Sequence, residues 1–232
     1  MTQRHFVLTI DGPAASGKSS TARRVAQKLG FAHVDSGSLY RAVTAAQLET
    51  KGPAESWTED DLLEAGKRVV LSPRNGSFAP LLDGEGIEET LHGADVTRHV
   101  SRVAQMPRVR AWVNAQVQAT ATSRSIVVDG RDMGTVVFPN ADLKIFLVAD
   151  PWERARRRLR QRLDREPTDP EIAEETDLIV HRDAKDATQT VQATDAVLID
   201  TTLLAQTDQV DRIVALAMAV SHRPSGTSEV DV

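Results

Sequence analysis

Five short apolar runs punctuate the chain: Phe6 to Ile10, Ala32 to Val34, Ser125 to Val128, Leu143 to Val148 and Ala196 to Ile199. They are continuous rather than alternating, as expected of strands covered on both faces in a parallel sheet. Between them the period changes. Ala22, Val25, Ala26 and Leu29 recur at i, i+3, i+4 and i+7, which gives a helix one apolar face, and Gly30 is placed to end it. Strands alternating with helices predict an α/β fold: a central five-stranded parallel sheet flanked by helices.

Two regions depart from this rhythm. From about Arg68 to Thr90, Val69-Val70-Leu71 and Phe78 to Leu82 flank Pro73-Arg74-Asn75-Gly76, and Asp83-Gly84 follows. Asn-Gly between apolar runs is a strong hairpin signal, so a small antiparallel β insert is expected within residues 60–100. A helix should then start at Pro107, with Val109, Trp112, Val113 and Val117 on its buried side. The second region is basic. Seven arginines fall between Arg154 and Arg165, and Ala155, Leu159 and Leu163 form an apolar stripe among them. This reads as an Arg-rich helical lid over about 152–187. Residues 1–221 are expected to form a single domain, with a disordered polar tail over 222–232.

Composition narrows the class. The chain has 232 residues, 41% hydrophobic and 26% charged, with a formal net charge of −5 and no cysteine. That is enough chain for a proper core, excludes disulfides and thiolate metal sites, and gives no global attraction for nucleic acid. No apolar stretch nears the ~20 residues of a membrane span, and Met1 to His5 has no signal-peptide character. A cytoplasmic monomer is expected, with neither nucleic-acid nor membrane partners.

Gly12-Pro13-Ala14-Ala15-Ser16-Gly17-Lys18-Ser19 matches G-x-x-x-x-G-K-[ST] at every fixed position, between a strand and an amphipathic helix. Glycines let such a loop wrap a phosphate with backbone N–H groups, and the helix dipole adds attraction. Lys18 should reach the β- and γ-phosphates of ATP, and the Ser19 hydroxyl should face Mg²⁺ carried in with ATP; Ser20 completes the ATP-binding set. No guanine-recognition tetrapeptide of the Asn-Lys-x-Asp kind occurs, and the chain is short for an ATP-driven machine. A small kinase is the class left.

A kinase whose acceptor is a phosphate must hold two polyanions together, which favours arginine. Arg41 follows the second strand and Arg131 the third, at the strand ends where open sheets bind ligands. In the basic region, Arg154 and Arg158 share a helix face, and closure of that lid would bring them to the transferring group.

At these residues the chain resembles the bacterial cytidylate kinases. The resemblance spans nearly the whole sequence and is carried by Asp35-Ser36-Gly37-Ser38-Leu39-Tyr40-Arg41-Ala42, Pro107-Arg108-Val109-Arg110 and above all Asp129-Gly130-Arg131-Asp132-Met133-Gly134-Thr135-Val136-Val137-Phe138-Pro139. It implies phosphoryl transfer from ATP to CMP or dCMP. It further implies that Ser36, Arg41, Asp129, Gly130 and Arg131 surround the acceptor phosphate, that Tyr40, Arg182 and Asp186 hold the sugar, and that Ser101, Arg110 and Asp132 read cytosine. Lys18, Arg131, Arg154 and Arg158 would be catalytic. Read without it, Ser101 could equally cap a helix and Asp132 could equally form a structural ion pair. One departure stands out. The family's Asp-x-x-Arg is here Asp186-Ala187-Thr188-Gln189, so Gln189 takes the place of a base-contacting arginine. Other kinase acceptors, and a nucleotide-binding regulator without turnover, are the competing readings.

Overall fold

The computed structural model describes residues 5–50 and 53–222. Residues 1–4 and all but the first residue of the expected tail lie outside that range; His222 caps the last helix. Each apolar run forms a strand within about one residue of its expected place: β1 (Val7–Asp11), β2 (Ala32–Asp35), and, numbered in chain order, β6 (Ile126–Asp129), β7 (Leu143–Val148) and β8 (Val197–Asp200). All five are parallel, in the spatial order β2-β6-β1-β7-β8. Ile10 is level with Asp129, and Asp129 is level with Asp35. Three strands therefore end side by side, and their connections gather at one rim.

The insert contains α3 (Glu59–Gly66), the hairpin β3 (Val69–Arg74) and β4 (Ser77–Leu82), the short β5 (Glu85–Gly86), and helices α4 (Glu88–Leu91) and α5 (Ala94–Val103). Asn75 and Gly76 both take positive φ, 47° and 77°, the geometry that their sequence requires of a tight hairpin. The hairpin is antiparallel as expected, yet it is not a separate small sheet. β4 pairs in parallel with β2 through His33–Ser77 and Val34–Phe78, so the insert extends the main sheet past β2.

One face of the sheet is covered by α2 (Ser36–Leu48), α3, α5 and α6 (Pro107–Thr120), with Leu39, Val43, Leu62, Val100, Val109, Val113 and Val117 buried in a common cluster. Trp112 is only partly buried, packing at the cluster's margin. The other face is covered by α1 (Lys18–Leu29) and α9 (Gln206–Ser221), through Val25, Ala26, Ile213 and Ala217. Gly30 ends α1 at φ 68°, its N–H bonded back to Ala26 and Gln27.

The basic region forms α7 (Pro151–Leu163) and α8 (Asp169–Asp186). Asp150 caps α7 by accepting from the Trp152 and Glu153 N–H groups, and Thr168 with Glu171 forms a capping box on α8. The pair has its own small core of Ala155, Leu159, Ile172 and Ile179, against which Leu163 and Ala15 pack. Among the described residues no helix is long and apolar enough to cross a membrane.

Candidate functional site

A cleft of about 1170 Å³ opens at the rim where β1, β2 and β6 end. Small-molecule pockets run from about 300 to about 1,000 Å³, so this cleft is larger than most. One end is the loop between β1 and α1. Gly12 adopts φ 147°, and Gly17 at φ 89° begins α1. Ala14, Ala15, Gly17, Lys18, Ser19 and Ser20 line the cleft, whereas Gly12, Pro13 and Ser16 form the loop behind it.

Lys18 is buried, its Nζ donating to the Pro13 carbonyl at 2.6 Å. Burial, then repulsion from Arg131, lowers its pKa to about 7, against the opposing pull of Asp129, Asp11 and Asp35. A bound polyphosphate would restore the ammonium. ATP binding at roughly pH 8 is therefore expected to take up about one proton, because the free protein holds Lys18 largely neutral there. Calorimetry in buffers of different ionisation enthalpy measures this uptake. It should vanish in Lys18→Arg, whose guanidinium stays charged in both states.

Beside Lys18, the Ser19 hydroxyl donates to Oδ2 of Asp129 at 2.5 Å. Asp35 caps α2 through the Ser38 N–H, and burial beside Asp129 raises its pKa to about 6. Asp11, at the end of β1, accepts from the N–H groups of Met133 and Gly134 at 2.9 and 2.7 Å. Burial raises its pKa to about 6 as well. It ties the donor loop to the turn Met133–Val137, so the two halves of the cleft share one rigid anchor.

The middle of the cleft is cationic. Arg41, Arg131, Arg158 and Arg182 all line it. Arg41 and Arg182 lie below the usual guanidinium range, first through burial, with repulsion from the other members of this group adding to the effect. Arg131 reaches Asp186 at 3.4 Å, and Arg158 reaches Glu175 at 3.2 Å. Arg41 is held by neutral groups of the insert, the Leu91 carbonyl and the Thr97 hydroxyl. A Cβ on Gly130 would meet Ser36 Oγ at 2.6 Å and Met133 Cγ at 2.8 Å, so a larger residue would have to displace both side chains where α2 meets the end of β6.

The far end holds Tyr40, Ser101, Arg110, Asp132 and Gln189. Arg110 is ion-paired to Asp132, lies 6.0 Å from the Tyr40 ring centroid, and donates to Gln189 Oε1 at 3.0 Å. Ser101 sits inside α5 rather than at its cap. The cleft thus brings together every residue expected at the acceptor, from Ser36 to Gln189.

Arg154, expected to reach the transferring group on lid closure, stands away from the cleft in this structure. It is 3% exposed and turned behind the loop, bonding to the carbonyls of Ala149 and Ala14 and pairing with Asp183 at 2.6 Å. It does not line the cleft. In this arrangement it ties the loop to α8.

The cytidylate kinase family model matches residues 8–219. The chain belongs to the cytidylate kinase family. A cytidylate kinase from Lactiplantibacillus plantarum is 37% identical over 234 residues, covering 98% of this chain and 100% of that protein. One from Thermus thermophilus is 42% identical over 221 residues, covering 94% and 99%. Among solved structures, a gluconokinase from Sinorhizobium meliloti 1021 superposes with a TM-score of 0.47 at 13% identity, covering 94% of this chain and 95% of that one. Cytidylate kinase activity, a phosphotransfer, comes with the family.

Several residues in and beneath this cytidylate kinase cleft carry no local motif that marks them. Arg157 lines the cleft while donating to the Thr201 and Thr202 carbonyls at 2.5 and 2.8 Å, which fastens α7 to the segment after β8. Leu204, Gln206 and Gln209 complete that wall. Asp11 and His33 are buried polar residues in or beside apolar strand runs, and that misfit is the one signal of a special role in the sequence.

Proposed function

We propose that the chain transfers the γ-phosphoryl group of ATP directly to the phosphate of CMP or dCMP, with Mg²⁺ bound alongside ATP. The four-guanidinium cluster carries this reading. Arg131 and Arg182 share the single carboxylate of Asp186, Arg158 shares Glu175 with Arg162, and Arg41 is held by neutral groups, so the cations outnumber the carboxylates paired with them and two polyphosphates held close together would supply the remaining negative charge. The loop Gly12–Ser20 takes ATP. Ser36, Arg41, Gly130 and Arg131 take the acceptor phosphate, and Tyr40, Arg182 and Asp186 the sugar. Arg110 offers donors and Asp132 an acceptor side by side, the complement of cytosine's carbonyl, ring nitrogen and amine. Uracil presents a carbonyl where cytosine has the amine, and the carboxylate disfavours it.

Ser19 and Asp129 provide a hydroxyl and a carboxylate oxygen, the hard donors that Mg²⁺ prefers. Among the described residues there is no cluster of three or more metal-ligating side chains, which suits an ion that arrives with its nucleotide. When bound, the ion neutralises phosphate charge. The second pKa of an acceptor phosphate is near ~6, so it is mostly dianionic at neutral pH and needs no general base. Asp11 and Asp35 are already engaged by backbone N–H groups. The chain's task is to position the two substrates, cancel their repulsion and, by lid closure, exclude water.

An ADP-release assay over CMP, dCMP, UMP, AMP and small hydroxyl acceptors tests the proposal. CMP and dCMP should be preferred by about tenfold or more, since a site built to hydrogen-bond rejects mismatched edges. Equal rates with AMP, or ATP and CMP bound together without turnover, would overturn it. Gln189 refines the expectation. It occupies a base-contacting position with a neutral amide whose oxygen is already taken by Arg110. Gln189→Arg is expected to raise the CMP-over-UMP ratio of kcat/KM by about tenfold through an added charged donor. Unchanged constants for both nucleotides would sink that idea.

A further inference from the structure

We propose that His33 is a positioning residue for phosphoryl transfer, fixing the Asp129 carboxylate so that one of its oxygens stays aimed at Ser19. This rests on the reading of Ser19 and Asp129 as the metal-facing pair.

His33 lies in the middle of β2, paired by backbone with Val127. Side chains two apart on a strand share a face, so His33 points to the same side as Asp35, whose level partner is Asp129. Its Nε2 is 2.8 Å from Oδ1 of Asp129, and both side chains are 3% exposed. The other carboxylate oxygen, Oδ2, accepts from Ser19. The Asp129 carbonyl accepts from Ser36 Oγ at 2.8 Å. Asp129 is therefore held from three elements: α1 through Ser19, β2 through His33 and α2 through Ser36.

The terminal torsion of a carboxylate is soft, so one contact alone leaves its plane free to turn. A second contact on the opposite oxygen fixes the plane. His33 supplies that contact by donating from Nε2, and it does so without lining the cleft. The surrounding run, Ala32 and Val34, is apolar, and a valine at 33 would serve the strand equally well. A buried imidazole is costly unless it is hydrogen-bonded, and its partner here is a carboxylate beside the donor loop. Outer residues that orient a ligand in this way typically contribute about 10- to 100-fold to metal affinity or activity.

The test is the affinity of the full chain for a non-hydrolysable ATP analogue, measured by calorimetry with and without Mg²⁺. The ratio of the two affinities is the readout, since general loosening of the fold weakens both alike. In His33→Leu the ratio should fall about tenfold while the KM for CMP stays unchanged. His33→Gln, whose amide can donate to Oδ1, should recover most of the loss. His33→Asn is polar but too short to reach; it should behave like the leucine variant and replaces it if that variant is insoluble. A wild-type ratio in His33→Leu or His33→Asn overturns the proposal. Ser19→Ala and Asp129→Asn separate the two layers. If neither changes the ratio, the metal-facing assignment itself fails; if both lower it and the His33 variants do not, only the positioning role falls.

Discussion

Exchange of Lys18 for methionine is expected to lower kcat by about 10³-fold, the scale set by removing a cation aimed at the transferring phosphoryl group. Lys18 is the one lysine among the residues lining the cleft, and its Nζ is held against the Pro13 carbonyl at the mouth of the loop. Lys18 makes none of the hydrogen bonds or ion pairs that hold Arg41, Arg110 and Asp132, so the KM for CMP should stay nearly unchanged. Methionine matches the length of the lysine stem and suits a buried position. Since burial already disfavours the charge on Lys18, the melting temperature should hold or rise. Steady-state kinetics with a thermal melt check both halves. A fall in kcat of less than about tenfold would mean that Lys18 does not reach the reacting phosphate.

Gly12→Ala acts on the fold as much as on the chemistry. At φ 147° the backbone is in a region open essentially to glycine alone, and a Cβ would lie 2.1 Å from the Leu147 carbonyl oxygen. Neither side can yield. Leu147 is fully buried in β7, which is paired on one side with β1 and on the other with β8. A loss of about 4 kcal/mol or more is expected, of the size seen for severe backbone strain and overpacking. For a chain of this length that corresponds to a fall of about 10 °C in melting temperature. The displaced loop should also lose the stabilisation that ATP gives wild type in the same melt. Superposable melts for variant and wild type would refute the close approach on which this rests.

Much of the architecture could be read along the chain because its cause is local. Continuous apolar runs marked the strands, Asn75-Gly76 marked the hairpin turn, and the Ala155, Leu159 and Leu163 stripe marked the lid's inner face. The loop from Gly12 to Ser19 could be read because its motif, strand and helix are contiguous. What escaped depends on partners far away in sequence. Nothing local says that β4 will lie beside β2, since either edge of a hairpin is free to pair. Spacing of four put Arg154 and Arg158 on one helix face but could not show depth. Near the start of α7, that face is closed by Ala149, Ala14 and Asp183, so Arg154 is enclosed while Arg158, one turn on, reaches the cleft. The Asp129 and His33 contact joins residues 96 positions apart. It becomes visible only once β2 and β6 are in register.

The hairpin's union with the main sheet decides which strand forms the sheet's edge. Without β4, the sheet would end on β2, a short, largely buried strand with open hydrogen-bonding groups that invite pairing with another chain. With the hairpin in place, the outermost strand is β3, whose Pro73 has no N–H to offer and whose end carries Arg74. Flanking it, Arg68 is ion-paired to Glu49 and Asp83. The insert that supplies the holding groups for Arg41 thus also guards the sheet's flank, and a version trimmed of its hairpin would be expected to self-associate through β2.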